Sequence, residues 1–214
     1  MVEAIFRGRG GSNDGQYREP DVNEYDELIV AGGLPSYTEW TRRGNHWRVK
    51  TATAFAPVAA VPTTTAKLEL YNPASNTESI IVTSLFAFQL LSTAATQTYS
   101  IWAQVTAAKA APTAAALVIA SNSGRDSVTG ATGSFVVPAV DTTVIDTVWM
   151  PFGAVQAWGT AAATPGNAWS AAVDGMLICP PGHSVCVAVV GSLATASTFQ
   201  CGLTFLHETL DVED

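Results

Sequence analysis

Apolar residues recur at every second position in several short runs of the chain after residue 50, which is the pattern of β-strands with one buried face. The clearest run lies near the carboxyl terminus, where Phe199, Cys201, Leu203 and Phe205 alternate with Gln, Gly and Thr. Residues 184–190 alternate in the same way. Both runs predict strands in which every second side chain enters a core.

The run at residues 79–91 differs from these, because both of its faces are largely apolar. The β-branched residues at its start and its period of two favour a central strand covered on both sides over a buried helix. Shorter runs at residues 67–71 and 98–105 also alternate. The sequence therefore predicts many short strands, of which at least one is central in its sheet.

Turn-forming residues separate the strand-like runs. Asn72-Pro73 follows one run, and Pro-Pro-Gly-His at residues 180–183 joins two others. Closely spaced strands with such turns between them are typical of a sandwich or a barrel. We predict an all-β fold, an antiparallel jelly-roll-like β-sandwich. The aromatic segments 149–153 and 157–160 show no regular period, and we interpret them as parts of a long loop.

The first 50 residues have a different character. Residues 7–15 are rich in glycine and polar, so they cannot bury a core by themselves, and residues 17–27 are acidic with no clear period. A short apolar run at residues 28–31 suggests a strand or an anchoring segment. We predict two parts, an extended arm and anchoring segment over residues 1–50 and a β-sandwich domain over residues 51–214.

Charge is concentrated in the predicted arm. The first 50 residues hold 15 of the 28 charged side chains, and the following 164 residues hold 13. Interface cores are depleted in Lys, Glu and Asp, so this uncharged body suits faces that pack against other subunits. An Ala- and Thr-rich composition inherited from a GC-rich genome is the alternative explanation. The net charge of −8 argues against a nucleic-acid partner, which needs clustered Lys and Arg.

The sequence shows no sign of membrane insertion or secretion. It has no stretch of 18 apolar residues, so we expect no transmembrane helix and no membrane partner. The amino terminus lacks the apolar run of a signal peptide. Three cysteines, an odd number without such a signal, predict reduced thiols in a protein made in a cytosol-like compartment.

The aromatic and basic residues of the arm are its candidate partner-binding residues. Two tryptophans stand among arginines between residues 40 and 50, which suits contact with an acidic partner surface. The alternative is an edge strand with a solvated basic face. The candidates are Arg7, Arg9, Tyr17, Arg18, Trp40, Arg42, Arg43, Trp47 and Arg48.

Three tryptophans of the body are candidate oligomer contacts, because aromatic side chains form interface hot spots and also sugar-binding platforms. Trp102 lies on the more polar face of its predicted strand, and Trp158 and Trp169 flank a loop. The alternative is that most tryptophans of the body are core residues or partly buried anchors.

The sequence contains no convincing catalytic or metal-binding pattern. Cys179 and His183 resemble a nucleophile pair, but no family signature surrounds them, and a turn histidine beside a structural cysteine is the favoured interpretation. The cysteine spacing does not fit a zinc site. Asp141, Asp146 and Asp174 would form a glycosidase pair only if the fold brought them together. We therefore expect no enzyme activity, no cofactor and no metal.

The chain resembles small virion proteins of tailed bacteriophages, in particular jelly-roll head decoration (cement) proteins. The resemblance rests on Leu70-Tyr-Asn-Pro-Ala-Ser leading into an apolar strand, on Ile178-Cys-Pro-Pro-Gly-His-Ser-Val followed by an alternating strand that ends in Leu206-His-Glu, and on low charge with abundant Ala, Thr and Gly. It covers mainly residues 67–91 and 175–208. It assigns no role to any individual residue.

The resemblance implies a structural protein that binds and stabilises a capsid surface as a homo-oligomer, expected to be a trimer, with the arm reaching neighbouring subunits. Its partners would be the major capsid protein or other virion proteins. It would be synthesised in the host cytoplasm and reside on the virion. Two other classes stay open. A receptor- or carbohydrate-binding module of a tail or fibre would present a Trp-lined groove, and a hydrolase would pair carboxylates.

Overall fold

The computed structural model describes residues 37–59, 65–91, 97–130, 134–158, 168–191 and 197–210. The chain divides into the units Met1–Thr38 and Glu39–Asp214, and nearly all described residues belong to the second. Within these ranges the chain forms one short helix and twelve strands. They are α1 (Thr38–Arg43), β1 (His46–Lys50), β2 (Thr65–Tyr71), β3 (Ser79–Leu91), β4 (Gln97–Val105), β5 (Val118–Ser121), β6 (Ser127–Thr129), β7 (Val137–Thr143), β8 (Met150–Trp158), β9 (Ala168–Ala172), β10 (Ile178–Cys179), β11 (Ser184–Gly191) and β12 (Thr198–Glu208).

The strands form two antiparallel sheets that pack against each other. The first sheet has the order β10-β3-β12-β1-β5-β6, and β9 also pairs with β3. The second sheet has the order β7-β2-β11-β4-β8. Side chains that alternate inward from both sheets form the main core, which includes Leu68, Leu70, Ile101, Val187, Leu203 and Phe205.

The connectivity is that of a jelly roll. In the first sheet β12 lies between β3 and β1, and in the second sheet β11 lies between β2 and β4. The last two long strands are therefore central, each flanked by two strands from earlier in the chain. β8 and β9 extend the sheets beside β4 and β3, which completes two layers of four strands. The remaining strands extend these layers, because β7 pairs with β2, β5 with β1, β6 with β5, and β10 with β3. The prediction of an all-β, jelly-roll-like sandwich is confirmed.

The structure differs from the sequence-based interpretation at β8, and at β1 it excludes one of the two alternatives. Met150–Trp158 is not part of a loop but forms β8, which pairs with β4. Pro151 fits there because β8 is an edge strand, where a missing amide hydrogen is tolerated. β1 is not an edge strand, because it pairs with β12 on one side and β5 on the other. Residues 39–50, assigned to the arm, thus belong to the compact β unit, and residues 1–36 lie outside the described part.

Candidate functional site

The predicted partner-binding residues fall into two groups. Arg7, Arg9, Tyr17 and Arg18 lie outside the described residues, so their assignment stays a prediction. The others lie on α1 and β1. Trp40 is half-buried on α1, whereas Arg42 and Arg43 are exposed in its last turn. The basic residues at positions 42, 43 and 48 therefore lie on regular elements, a helix and a strand.

β1 separates its side chains between two environments, as the period of a strand requires. Trp47 points inward and packs against Phe135, with ring centroids 4.9 Å apart. Arg48 and Lys50 are exposed on the outer face of the first sheet, and Val49 between them is buried in the core. Of the two predicted contact residues on this strand, Arg48 has surface to offer a partner, while Trp47 mainly anchors the strand.

The tryptophans predicted as oligomer contacts occupy different positions. Trp169 lies in the main core, 7% exposed, with its ring edge-on to Phe199. Trp102 is half-buried on the outer face of the second sheet, where its indole Nε1 donates a hydrogen bond to Ser100. The backbone of Trp158 pairs with Gln97, and its side chain lies outside the described part. Of the two tryptophans in this group whose side chains the structure describes, Trp102 is partly exposed to solvent and Trp169 is not.

A short segment, residues 144–149, connects β7 to β8 and is called the strap below. Because β7 and β8 are the two edges of the second sheet, the connection crosses four strand spacings, about 19 Å at about 4.8 Å each. The seven residue steps from Thr143 to Met150 reach about 23 Å when extended. The strap therefore has just enough length to cross the sheet directly.

The strap buries residues beneath it and so makes a second, smaller core on the outer face of the second sheet. Val144 and Trp149, at its two ends, pack with Cys186, Ala188 and the half-buried Trp102. Val185, Val187 and Val189 on the same strand enter the main core instead. The two faces of β11 thus end in two separate apolar clusters, which explains why nearly all of β11 is buried.

The strap also exposes apolar side chains on its outer side. Ile145 and Val148 are 60% and 65% exposed, and Met150, the first residue of β8, is 41% exposed. Two hydrogen bonds hold the middle of the strap. Gln104 Nε2 donates to the carbonyl oxygen of Asp146 at 3.0 Å, and the Asp146 carboxylate accepts from the backbone amide of Ala107. The exposed apolar side chains therefore belong to a segment that hydrogen bonds hold against the sheet.

A buried ion pair lies on the same face of the second sheet. Glu69 on β2 is fully buried, and its Oε1 lies 2.6 Å from Lys109 Nζ and accepts a hydrogen bond from Ser184. The backbone amide of Lys109 donates to Gly182 in the turn before β11. The pair therefore ties the segment after β4 to the centre of the sheet.

The outer face of the first sheet carries a cavity of about 340 Å³, called the basic groove below. Its lining includes Arg48 and Lys50 of β1, Phe86 of β3, and Val118 and Ala120 of β5. Ten residues line it, of which two are cationic and none is acidic. On a chain with a net charge of −8, this is a local positive surface with an apolar floor.

The two segments that carry the resemblance to decoration proteins meet in the structure. Asn72 stands at the centre of the contact, because its backbone exchanges hydrogen bonds with His183 and Gly182, and its side-chain amide donates to the carbonyl oxygen of Cys179 at 3.1 Å. The Asn76 amide in turn donates to the Asn72 side-chain oxygen at 2.7 Å. The Asn-Pro turn and the Pro-Pro-Gly turn thus form one structural corner.

The residues considered for catalysis occupy structural positions. Burial raises the pKa of Cys179 to about 12, so its thiol stays protonated at neutral pH and is a poor nucleophile. The His183 ring lies 3.0 Å from the carbonyl oxygen of Pro181. Asp141 pairs with Lys67 at 2.6 Å, Asp146 is fixed in the strap, and Asp174 lies in the turn after β9. The three carboxylates stand on three separate elements with different surroundings.

Two further histidines are bound within the fold. His46 lies between Thr41 and Thr83, with its ring nitrogens 2.9 and 3.0 Å from their hydroxyl oxygens, and burial lowers its pKa. Burial also lowers the pKa of His207, although Glu78 and Glu208 raise it. Within the described ranges, no group of three or more His, Cys, Asp or Glu side chains has an arrangement that could hold a metal ion.

No family model matches the chain, and neither a curated protein nor a solved structure matches it. In the part of the chain that the structure describes, no helix is long and apolar enough to span a membrane. The function must therefore be inferred from the two surfaces described above, the exposed side of the strap and the basic groove.

Sequence reasoning missed most residues of these surfaces. Lys50 could have been predicted from the sequence, because the alternation of β1 places it on the same face as Arg48. Ile145 and Val148 gave no such signal, since an apolar residue in an apolar run looks like a core residue until its neighbours in space are known. Phe86 likewise appears in sequence as one more member of a buried strand.

Proposed function

We propose that this chain is a structural protein that binds the surface of a larger protein shell as a homo-oligomer, in the manner of a capsid decoration (cement) protein. The supported apolar surface of the strap carries the proposal. Ile145 and Val148 are mostly exposed aliphatic side chains on one short segment that hydrogen bonds hold in place, and exposed apolar surface of this kind marks interaction sites.

Three further features support the proposal. The jelly roll is an architecture shared by viral capsid and lectin domains. The body carries few charges, which suits faces covered by other subunits. The basic residues of α1 and β1 are exposed on elements that follow the predicted arm in the sequence. On this proposal the partners are the major capsid protein or other virion proteins, the oligomer is a trimer, and the protein resides on the virion surface.

The oligomer is tested by placing one charge on the strap. Ile145→Asp should convert the wild-type oligomer to monomer in sedimentation velocity at micromolar concentration, because a buried unpaired carboxylate at an interface is strongly unfavourable. Met176→Asp is the matched control, since Met176 is 69% exposed and apolar but lies in the turn that joins β9 to β10 of the first sheet. A wild-type chain that sediments as a monomer would contradict the proposed assembly.

The location on a shell needs its own experiment. Antibody labelling of purified particles that contain this protein, viewed by electron microscopy, should show regularly spaced label on the shell. Label confined to a tail or fibre would favour the alternative, a receptor- or carbohydrate-binding module. The basic groove with its Phe86 ring is a candidate site for that alternative, and a glycan array tests it directly. Among the described tryptophans, Trp149 and Trp169 are each only 7% exposed.

A further inference from the structure

The basic groove is built by a specific juxtaposition across three strands of the first sheet. Phe86 on β3 stands opposite Gly202 on β12, and Gly202 stands opposite Lys50 on β1. A side chain at Gly202 would lie less than 3.0 Å from the Phe86 ring. The glycine therefore lets the ring lie over the middle strand, where it forms part of the groove floor between β3 and β1.

Both cations of the groove have neutral partners. Lys50 Nζ donates to the Gln200 side-chain oxygen at 3.0 Å, and Arg48 donates to the Asn122 side-chain oxygen at 3.1 Å. In contrast, Lys67 and Lys109 pair with carboxylates on the second sheet. The positive charge of the groove is therefore not compensated from within its lining, and it attracts anionic groups.

We propose that the basic groove binds an acidic peptide segment of a partner protein, in which carboxylate side chains alternate with apolar ones. The carboxylates would meet Arg48 and Lys50, whose head groups keep donor capacity beyond their single amide partners. An apolar or aromatic side chain between them would cover Phe86 and Val118, the latter 59% exposed. Neither a purely polar nor a purely apolar ligand uses both parts of the lining.

This surface is separate from the strap. The groove lies on the outer face of the first sheet and the strap on the outer face of the second, with the main core between them. We thus propose two interaction surfaces, of which the strap binds through apolar contacts and the groove mainly through charge. Binding at the strap should depend little on salt, whereas binding in the groove should weaken as salt screens its charges.

The probe is a fluorescently labelled peptide with the sequence Asp-Val-Asn-Glu-Tyr-Asp-Glu-Leu, which occurs at residues 21–28 of this chain and intersperses four carboxylates with Val, Tyr and Leu. Fluorescence anisotropy with the full-length protein should show saturable binding that weakens as sodium chloride is raised from 50 to 300 mM, concentrations chosen to shorten the Debye length from roughly 14 to 6 Å. The peptide with all four carboxylates replaced by amides should bind at least about tenfold more weakly.

Variants locate the binding site. Lys50→Gln should weaken peptide binding about fivefold, and Arg48→Gln with Lys50→Gln about tenfold or more. Lys67→Gln removes the same charge from the other sheet and should leave binding unchanged. Circular dichroism verifies that each variant is folded. An equal loss of peptide affinity in Lys50→Gln and Lys67→Gln would show that only the net charge of the protein matters, and it would overturn the proposal.

Other outcomes also overturn it. No saturable binding of the acidic peptide, equal binding of the amide peptide, or binding of a sulfated glycan but not of the peptide would each exclude an acidic peptide as the occupant. Ile145→Asp should bind the peptide as the wild type does, so failure of the groove and failure of the proposed assembly are distinguishable.

Discussion

Glu69 and Lys109 form an ion pair in which the carboxylate is completely buried and the oxygen–nitrogen distance is 2.6 Å. The pair lies outside the main core, on the face of the second sheet that the strap crosses. Ser184 donates to the same carboxylate oxygen, and among the described residues the other oxygen has no hydrogen-bond partner. The Glu69 carboxylate therefore depends on Lys109 for most of its compensation.

We expect Lys109→Met to lower the free energy of unfolding by about 3 kcal/mol or more, because it leaves a buried carboxylate without its cation. Urea unfolding at pH 7 measures the change. Lys67→Met is the matched control. It breaks a pair of the same length with Asp141, whose side chain is 61% exposed, and should cost no more than about 1 kcal/mol. Equal losses in the two variants would contradict the role given to Glu69.

His207 predicts a dependence of stability on pH. Its Nδ1 lies 2.9 Å from the Glu78 carboxylate, so the neutral ring can donate there, and burial lowers its pKa below the ordinary value near 6.5. Below pH 6.5 the unfolded chain binds this proton and the folded chain does not. Stability is therefore complete above about pH 6.5 and decreases as the pH falls toward the lowered pKa. His46 acts in the same direction.

The test compares the wild type with His46→Gln/His207→Gln by urea unfolding between pH 7.5 and 5.5, a range chosen to lie above the carboxylate pKa values near 4. The wild type should lose stability with a slope of at most about 1.4 kcal/mol per pH unit for each histidine. The double variant should show a smaller slope. An unchanged slope would assign the pH dependence to other groups.

All three cysteines should be unreactive in the folded protein. Each thiol is buried, and burial raises the pKa values of Cys186 and Cys201 as it does that of Cys179. A thiol-disulfide reagent such as DTNB at pH 8 should label none of them within minutes and all three in urea. Ser127→Cys supplies an exposed thiol on β6 as the positive control. Rapid native labelling of any other thiol would show that the fold opens locally there.

Gly202→Ala should destabilise the protein by about 1–3 kcal/mol, the range of a forced overpacking. A methyl group at this position would lie less than 3.0 Å from the Phe86 ring and from the carbonyl oxygen of Val49. In a Phe86→Leu background the same substitution should cost less, because part of the clash is gone. Urea unfolding of both single variants and the double variant measures this coupling, and strictly additive losses would argue against the contact.

The sequence by itself determined the class of the fold and many of its strands. The alternation at residues 199–205 and 184–190 predicted β12 and β11, because a strand with one side in a core must place apolar residues at every second position. The two apolar faces of residues 79–91 predicted a central strand, and β3 pairs on both sides. These are local consequences of burial, so a local pattern reveals them.

Only the tertiary structure decided where each face points. Whether β1 is an edge or an interior strand depends on β12 and β5, which are distant in sequence. Ile145 faces solvent while Val144 is buried, because the strap crosses the outside of a sheet whose strands come from all over the chain. The groove exists because Phe86, Gly202 and Lys50 share one row. Such positions follow from pairing between distant segments, which no periodicity along the chain records.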